Sequence, residues 1–335
     1  MGMRGKCYFV LLLFMCSILQ VNSFESFQTE KTLSKVHWTD WQPSFVSQEI
    51  NADSTERVLV LLAKSSDLQP EKQHTSEYFD DLLFGDQPGS MEHYYIENSR
   101  NQIQFEGQVS EWVQLDKTLD KYDEDFDDPE QDEWGVGQGI EEIVQKSDSL
   151  YDYSYYDQNN DGIVDNLMVI FVGEADSSNG DSDGDGEETD YNAIWPLKWQ
   201  LQTDFLTNDG VSISNFFVCV EMCTMGTFAH EFAHNLGLPD LYDTDYSSQG
   251  VGVWSVMGGG SYLEFEDENN PSHFDPWSKY KLGWITPTII DSNQQTGEIL
   301  LNPIEETGEC LMFRISPTEY FLVEYRSKQA GYYDK

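Results

Sequence analysis

The stretch from His230 to Asp240 constrains this chain more than any other part of its sequence. It reads His230-Glu231-Phe232-Ala233-His234-Asn235-Leu236-Gly237-Leu238-Pro239-Asp240. Histidines four positions apart lie on one face of a helix, one turn from each other, where both imidazoles can hold one metal ion. The spacing predicts a helix over Thr224 to Leu236, stopped at Gly237 with Pro239 just beyond. A catalytic zinc needs a further protein ligand besides the histidine pair. Gly237 can turn left-handed and bring the chain back, which makes Asp240 the candidate, with Asp243 and Glu264 as competing carboxylates. Glu231 adjoins the first histidine, so its carboxylate can reach a zinc-activated water, accept its proton and pass it to a leaving amine. The plainer reading is a core helix whose histidines are satisfied by hydrogen bonds. Only six histidines occur in the chain, and two flank a glutamate at metal spacing, which favours zinc.

The rest of the chain suits an exported enzyme. Arg4 and Lys6 precede an apolar run from Tyr8 to Leu19, and Val21-Asn22-Ser23 offers small residues for cleavage. That pattern predicts a signal peptide over residues 1–23 and a secreted product, the run being short for a spanning helix. Residues 24–54 lack clear periodicity and read as a leader or short pro-segment, and residues 55–335 as the folded metallopeptidase domain. With 61 acidic against 18 basic residues, a net charge of -43, the surface repels nucleic acid and anionic membrane. The partners that remain are protein or peptide substrates. Cleavage would also remove Cys7 and Cys16; of the three cysteines left, Cys219 and Cys223 are close enough to pair if the chain between them turns, leaving Cys310 odd, and a free thiol and a metal role stay open for them.

Hydrophobic patterning predicts an α+β fold. Arg57 to Leu62, Ile103 to Val113, Leu167 to Val172 and Asn215 to Val220 read as strands. Ser76 to Phe84, Ser90 to Asn98 and Gly139 to Lys146 read as helices. Asp116 to Glu133 and Asp176 to Asp190 read as acidic solvated loops, and a subdomain break is expected near Gly237, before an irregular C-terminal half.

His230 to Asp240, continued by Leu241-Tyr242-Asp243, resembles the immune inhibitor A-like secreted metallopeptidases, a branch of the metzincins. Trp254-Ser255-Val256-Met257-Gly258-Gly259-Gly260 is similar to the metzincin Met-turn, with Met257 as its methionine. Phe274 to Ile285 and Tyr320 to Arg326 also resemble family segments. The resemblance implies a metzincin-like zinc peptidase domain: a twisted mixed sheet with backing helices, an irregular C-terminal subdomain, and Asp240 as the third ligand. It also implies more chain beyond Lys335, so the sequence reads as truncated. Tyr262 follows the Met-turn at a spacing that does not match the family's oxyanion tyrosine.

Asp157, Asn159, Asp161 and Asp165 space oxygen ligands as the first part of a calcium loop does, with Gly162 at the sharp turn. Met168 stands where the closing glutamate belongs, so an Asx-turn is an equal reading. Asp181, Asp183 and Asp185 form a weaker candidate. Two rivals to a zinc endopeptidase remain: a catalytically silent adhesion module on the same scaffold, and a metal-dependent hydrolase of something other than peptides.

Overall fold

The computed structural model describes residues 12–13, 54–123, 135–175, 194–245, 247–262, 270–291, 299–316 and 319–333. Of the expected signal segment it describes only strand β1, Leu12–Leu13. The leader from 24 to 53 and the acidic stretch 176–190 lie outside the described residues.

Strand β2, Ser54–Lys64, is the hub of the main sheet. Val58, Val60 and Leu62 enter one apolar cluster, while Leu59, Leu61 and Ala63 enter another on the opposite face. A strand buried on both faces reads as a continuous apolar run, which explains Val58 to Ala63. Helices α1, Ser76–Phe84, and α2, Met91–Ser99, open at Thr75 and Ser90, whose side chains accept main-chain N–H groups of the first turn. Strand β3, Ile103–Gln114, lies parallel to β2. Helix α3, Asp120–Asp123, follows it. Here the expectation of a solvated loop from Asp116 is corrected: Leu119 and Tyr122 are fully buried, because their apolar bodies pack under helix α4, Gly135–Ser147.

Strand β4, Leu167–Phe171, is buried at every position and runs parallel to β2. Strands β5, Leu197–Leu206, and β6, Ser212–Val220, complete the sheet in the order β3-β2-β4-β6-β5. β6 is parallel to β4, and β5 is antiparallel to β6 at the edge. Helix α5, Met225–Asn235, leaves the end of β6 and packs Phe228 and Phe232 onto the sheet with α1 and α2. The result is the mixed α/β arrangement, with a mixed sheet and helices on both faces.

Chain beyond Gly237 joins the same core: Leu238, Val256, Met257, Phe274 and Trp284 lie in the cluster that holds Phe228 and Phe232. Helix α6, Pro276–Lys281, is capped by buried Asp275. Strands β7, Thr288–Asp291, β8, Leu311–Arg314, and β9, Tyr320–Val323, form a second sheet, in which β1 pairs with β9. Helix α7, Ile304–Thr307, packs Ile304 into its small core.

Candidate metal centre

Thr224 starts the site. Its hydroxyl caps α5 by accepting from Thr227 N, which aims the helix so that His230 and His234 share one face. Gly226 lets the first turn approach the loop after Met257: a Cβ there would lie 2.2 Å from the Ser261 carbonyl oxygen. At the far end Gly237 takes φ +90°, a left-handed conformation that turns the chain back toward the histidines.

His230 Nε2 and His234 Nε2 are 3.1 Å apart. Asp240 Oδ1 lies 3.1 Å from the first and 3.3 Å from the second. Among the described residues this is the one group of three His, Cys, Asp or Glu side chains close enough to share an ion. Each imidazole is oriented through its other nitrogen. His230 Nδ1 donates to the Val256 carbonyl and His234 Nδ1 to the Leu238 carbonyl, both at 2.8 Å. A carbonyl only accepts, so the proton of each neutral ring sits on Nδ1 and each Nε2 turns a lone pair inward. Two lone pairs and a carboxylate oxygen then converge on one point, and buried Asp240 Oδ1 has no hydrogen-bond donor. Such a set repels itself unless a positive charge sits between its members. The donor set, two nitrogens and one oxygen, is of the kind that suits zinc.

Glu231 is buried, and its Oε2 has no hydrogen-bond partner. Burial pushes its carboxyl up to about 7; His230 opposes this and Asp240 adds to it. The group is therefore poised to exchange a proton near neutrality. Met257 is fully buried. Its carbonyl accepts from Leu241 N at 2.7 Å, next to Asp240, while the neighbouring Val256 carbonyl holds His230. The segment from Val256 to Met257 thus braces both the helix and the returning chain.

A model of the immune inhibitor A peptidase M6 catalytic domain matches residues 52–285. The chain belongs to that family. It is 26% identical over 273 residues to immune inhibitor A of Bacillus thuringiensis subsp. alesti, across 67% of this chain and 39% of that protein. It is also 26% identical over 301 residues to the pre-pro-metalloprotease PrtV of Vibrio cholerae serotype O1 (strain M66-2), across 73% of this chain and 32% of that one. The chain therefore spans well under half the length of the curated relatives it matches. Within the M6 domain lie α5, the Met257 segment and the whole histidine–aspartate cluster.

Asp243 accepts from Ser247 Oγ at 2.8 Å and from the Ser248 main chain at 2.6 Å, folded onto its own loop, and Glu264 lies outside the described residues, as do Asp181, Asp183 and Asp185. Tyr262 closes a short helical turn, and its side chain is likewise outside the description.

The expected calcium residues turn inward on their own loop. Asp157 accepts from Asp161 N and Gly162 N, Asn159 from Asp161 N, Asp161 from Ile163 N, and Asp165 from Gln158 N and Asn159 Nδ2. These are Asx-turn bonds, and Asp157, Asp161 and Asp165 do not converge as the zinc candidates do. The loop serves α5: Asn235, next to His234, donates to the Asp165 carbonyl and to the Asn166 side chain.

Lys198 is a residue the sequence reading missed. From β5 its Nζ donates to the His234 main-chain carbonyl at 3.0 Å, and burial pushes its amine down to about 8. The alternation of Leu197, Trp199 and Leu201 carries a strand signal there, but nothing local marks Lys198 as a partner of the helix.

Proposed function

We propose that this chain is a secreted, zinc-dependent endopeptidase, and the observation that carries the reading is the convergence of His230 Nε2, His234 Nε2 and Asp240 Oδ1 with both Nδ1–H groups turned outward to carbonyls. His230, His234 and Asp240 are the ligands in this reading. Zinc, when bound, supplies a Lewis acid that polarises a scissile carbonyl and acidifies water. Glu231 takes the proton of the attacking water at its unpartnered Oε2 and returns it to the leaving amine. Its burial keeps the carboxyl near neutrality, where it can do both. Among the described residues β5 is an edge strand of the main sheet, and in this reading an extended peptide binds alongside it by strand addition. Metzincin architecture is supported by the Met257 segment bracing the ligand helix from below.

Export by a signal peptide over residues 1–23 rests on the sequence pattern. No helix among the described residues is long and apolar enough to cross a membrane. The hydrogen bonds within the loop from Asp157 to Asp165 favour the turn reading over calcium, and a melting temperature that climbs with added calcium would reverse that preference.

Proteolysis of an unfolded protein by the mature chain, with chelator and with zinc restored, tests the reading. Glu231→Gln should keep zinc while hydrolysis falls at least about 100-fold. Full activity in that variant would remove Glu231 from the mechanism. A silent adhesion module would show no hydrolysis in any arm; a buried, unpartnered Glu231 has no use there.

A further inference from the structure

The junction between β6 and α5 holds two cysteines. Cys219 is the next-to-last residue of β6, fully buried in the cluster that contains Phe228 and Phe232. Cys223 sits one residue before the Thr224 cap and is partly exposed. The chain between them folds into a tight turn: Cys223 N donates to the Val220 carbonyl at 3.0 Å. The Cys223 sulfur points back toward the strand end, accepting from Val220 N at 3.4 Å. The side chain of Cys223 is thereby directed at the residue adjoining Cys219.

We propose that Cys219 and Cys223 form a disulfide that clamps the end of β6 to the start of the metal-bearing helix. Both thiols are reduced in this structure, and the tight turn from Val220 to Cys223 brings the Cys223 sulfur back to the strand end that carries Cys219. Cys223 is the entry point, since it is the exposed partner. Its thiolate attacks a low-molecular-weight disulfide such as oxidised glutathione, forming a mixed disulfide and releasing one glutathione thiol. Cys219 then attacks the Cys223 sulfur and releases the second. The two cysteines lose two protons and two electrons, and the glutathione disulfide takes them up. Cys310 lies in the small second core and stays outside the exchange. The proposal does not depend on peptidase activity.

The test is thiol mapping of the whole folded chain after equilibration with oxidised glutathione. The protein is denatured without reductant, alkylated and digested. The peptide carrying both Cys219 and Cys223 should resist alkylation and be lighter by the two hydrogens lost, while Cys310 is alkylated. Reduction should restore two alkylatable sulfurs. Alkylation of both Cys219 and Cys223, a lasting glutathione adduct on Cys223, or a link to Cys310 would each overturn the pairing. In Cys223→Ser, Cys219 should become alkylatable; if that variant does not fold, the wild-type map still decides. Linking should also raise the melting temperature by on the order of 5 °C, as closing a short loop does. A mapped link with no rise would overturn the clamp.

Discussion

The Lys198 amine donates at 3.0 Å to the carbonyl of His234, so a half-buried cation on the edge strand meets the C-terminal end of the helix that carries both histidines. Helix C-termini concentrate negative partial charge, which makes this a favourable place for a cation. The same contact ties edge strand β5 to the residue proposed as a ligand.

Lys198 also makes a pH prediction. Its folded value of about 8 lies below the free value of 10.5, because burial disfavours the charged amine. The unfolded chain therefore binds this proton more tightly, and between those values its contribution to stability rises with pH. Other groups titrate in that range, so the quantity to measure is the unfolding free energy of wild type minus that of Lys198→Met. That difference should grow by up to roughly 3 kcal/mol from pH 8 to pH 10.5. A flat difference would show that the amine is not desolvated in solution.

Asp240→Asn should weaken zinc binding more than about 100-fold, beyond the usual effect of altering an outer-shell residue. The amide keeps the shape but loses the negative charge that, with the two inward lone pairs, attracts a cation. Competition with a chromogenic chelator measures this directly. Unchanged affinity would transfer the third-ligand role to another carboxylate.

Gly226→Ala should destabilise the protein by about 1–3 kcal/mol, the usual cost of overpacking. Alanine gains about 1 kcal/mol of helix propensity over glycine, but its Cβ would sit 2.2 Å from the Ser261 carbonyl oxygen. Steric conflict outweighs propensity here because the obstacle is main chain and cannot rotate away. A denaturant midpoint equal to or above wild type would contradict the close packing of α5 on this loop.

Tyr333→Ala should cost about 3 kcal/mol or more. The match to the M6 catalytic domain ends at residue 285, yet Tyr333 is fully buried in the main core. Its hydroxyl lies 3.1 Å from the Ser90 carbonyl and from His93 Nδ1, and Glu97 accepts from the Tyr332 and Tyr333 main chain. Leu300, 91% exposed, is the control, and Leu300→Ala should melt like wild type. Equal melting of both variants would show that the segment after 285 does not support the peptidase core.

Local patterns in the sequence carried much of the main sheet. Val58 to Ala63 and Leu167 to Phe171 are apolar without interruption because both faces of the sheet are covered, and that signal needs no tertiary knowledge. Ser90 and Gly237 mark helix ends by their own chemistry, an acceptor side chain and a left-handed turn. Strand β5 escaped although Leu197, Trp199 and Leu201 alternate with polar residues, because its place at the sheet edge is set by antiparallel pairing with β6. Leu119 and Tyr122 escaped because the surrounding acidic residues mask two buried side chains.

The histidine pair, the adjacent glutamate and the glycine that turns the chain were determined by sequence alone, since helical periodicity and backbone freedom act within a few residues. The tertiary structure decided how each member is held. Val256 and Leu238 carbonyls set the tautomers, Lys198 and Asp165 brace the helix end, and burial raises Glu231 toward neutrality. Those effects depend on which distant main-chain oxygens and apolar side chains arrive at the site, and spacing along a chain does not encode that arrival locally.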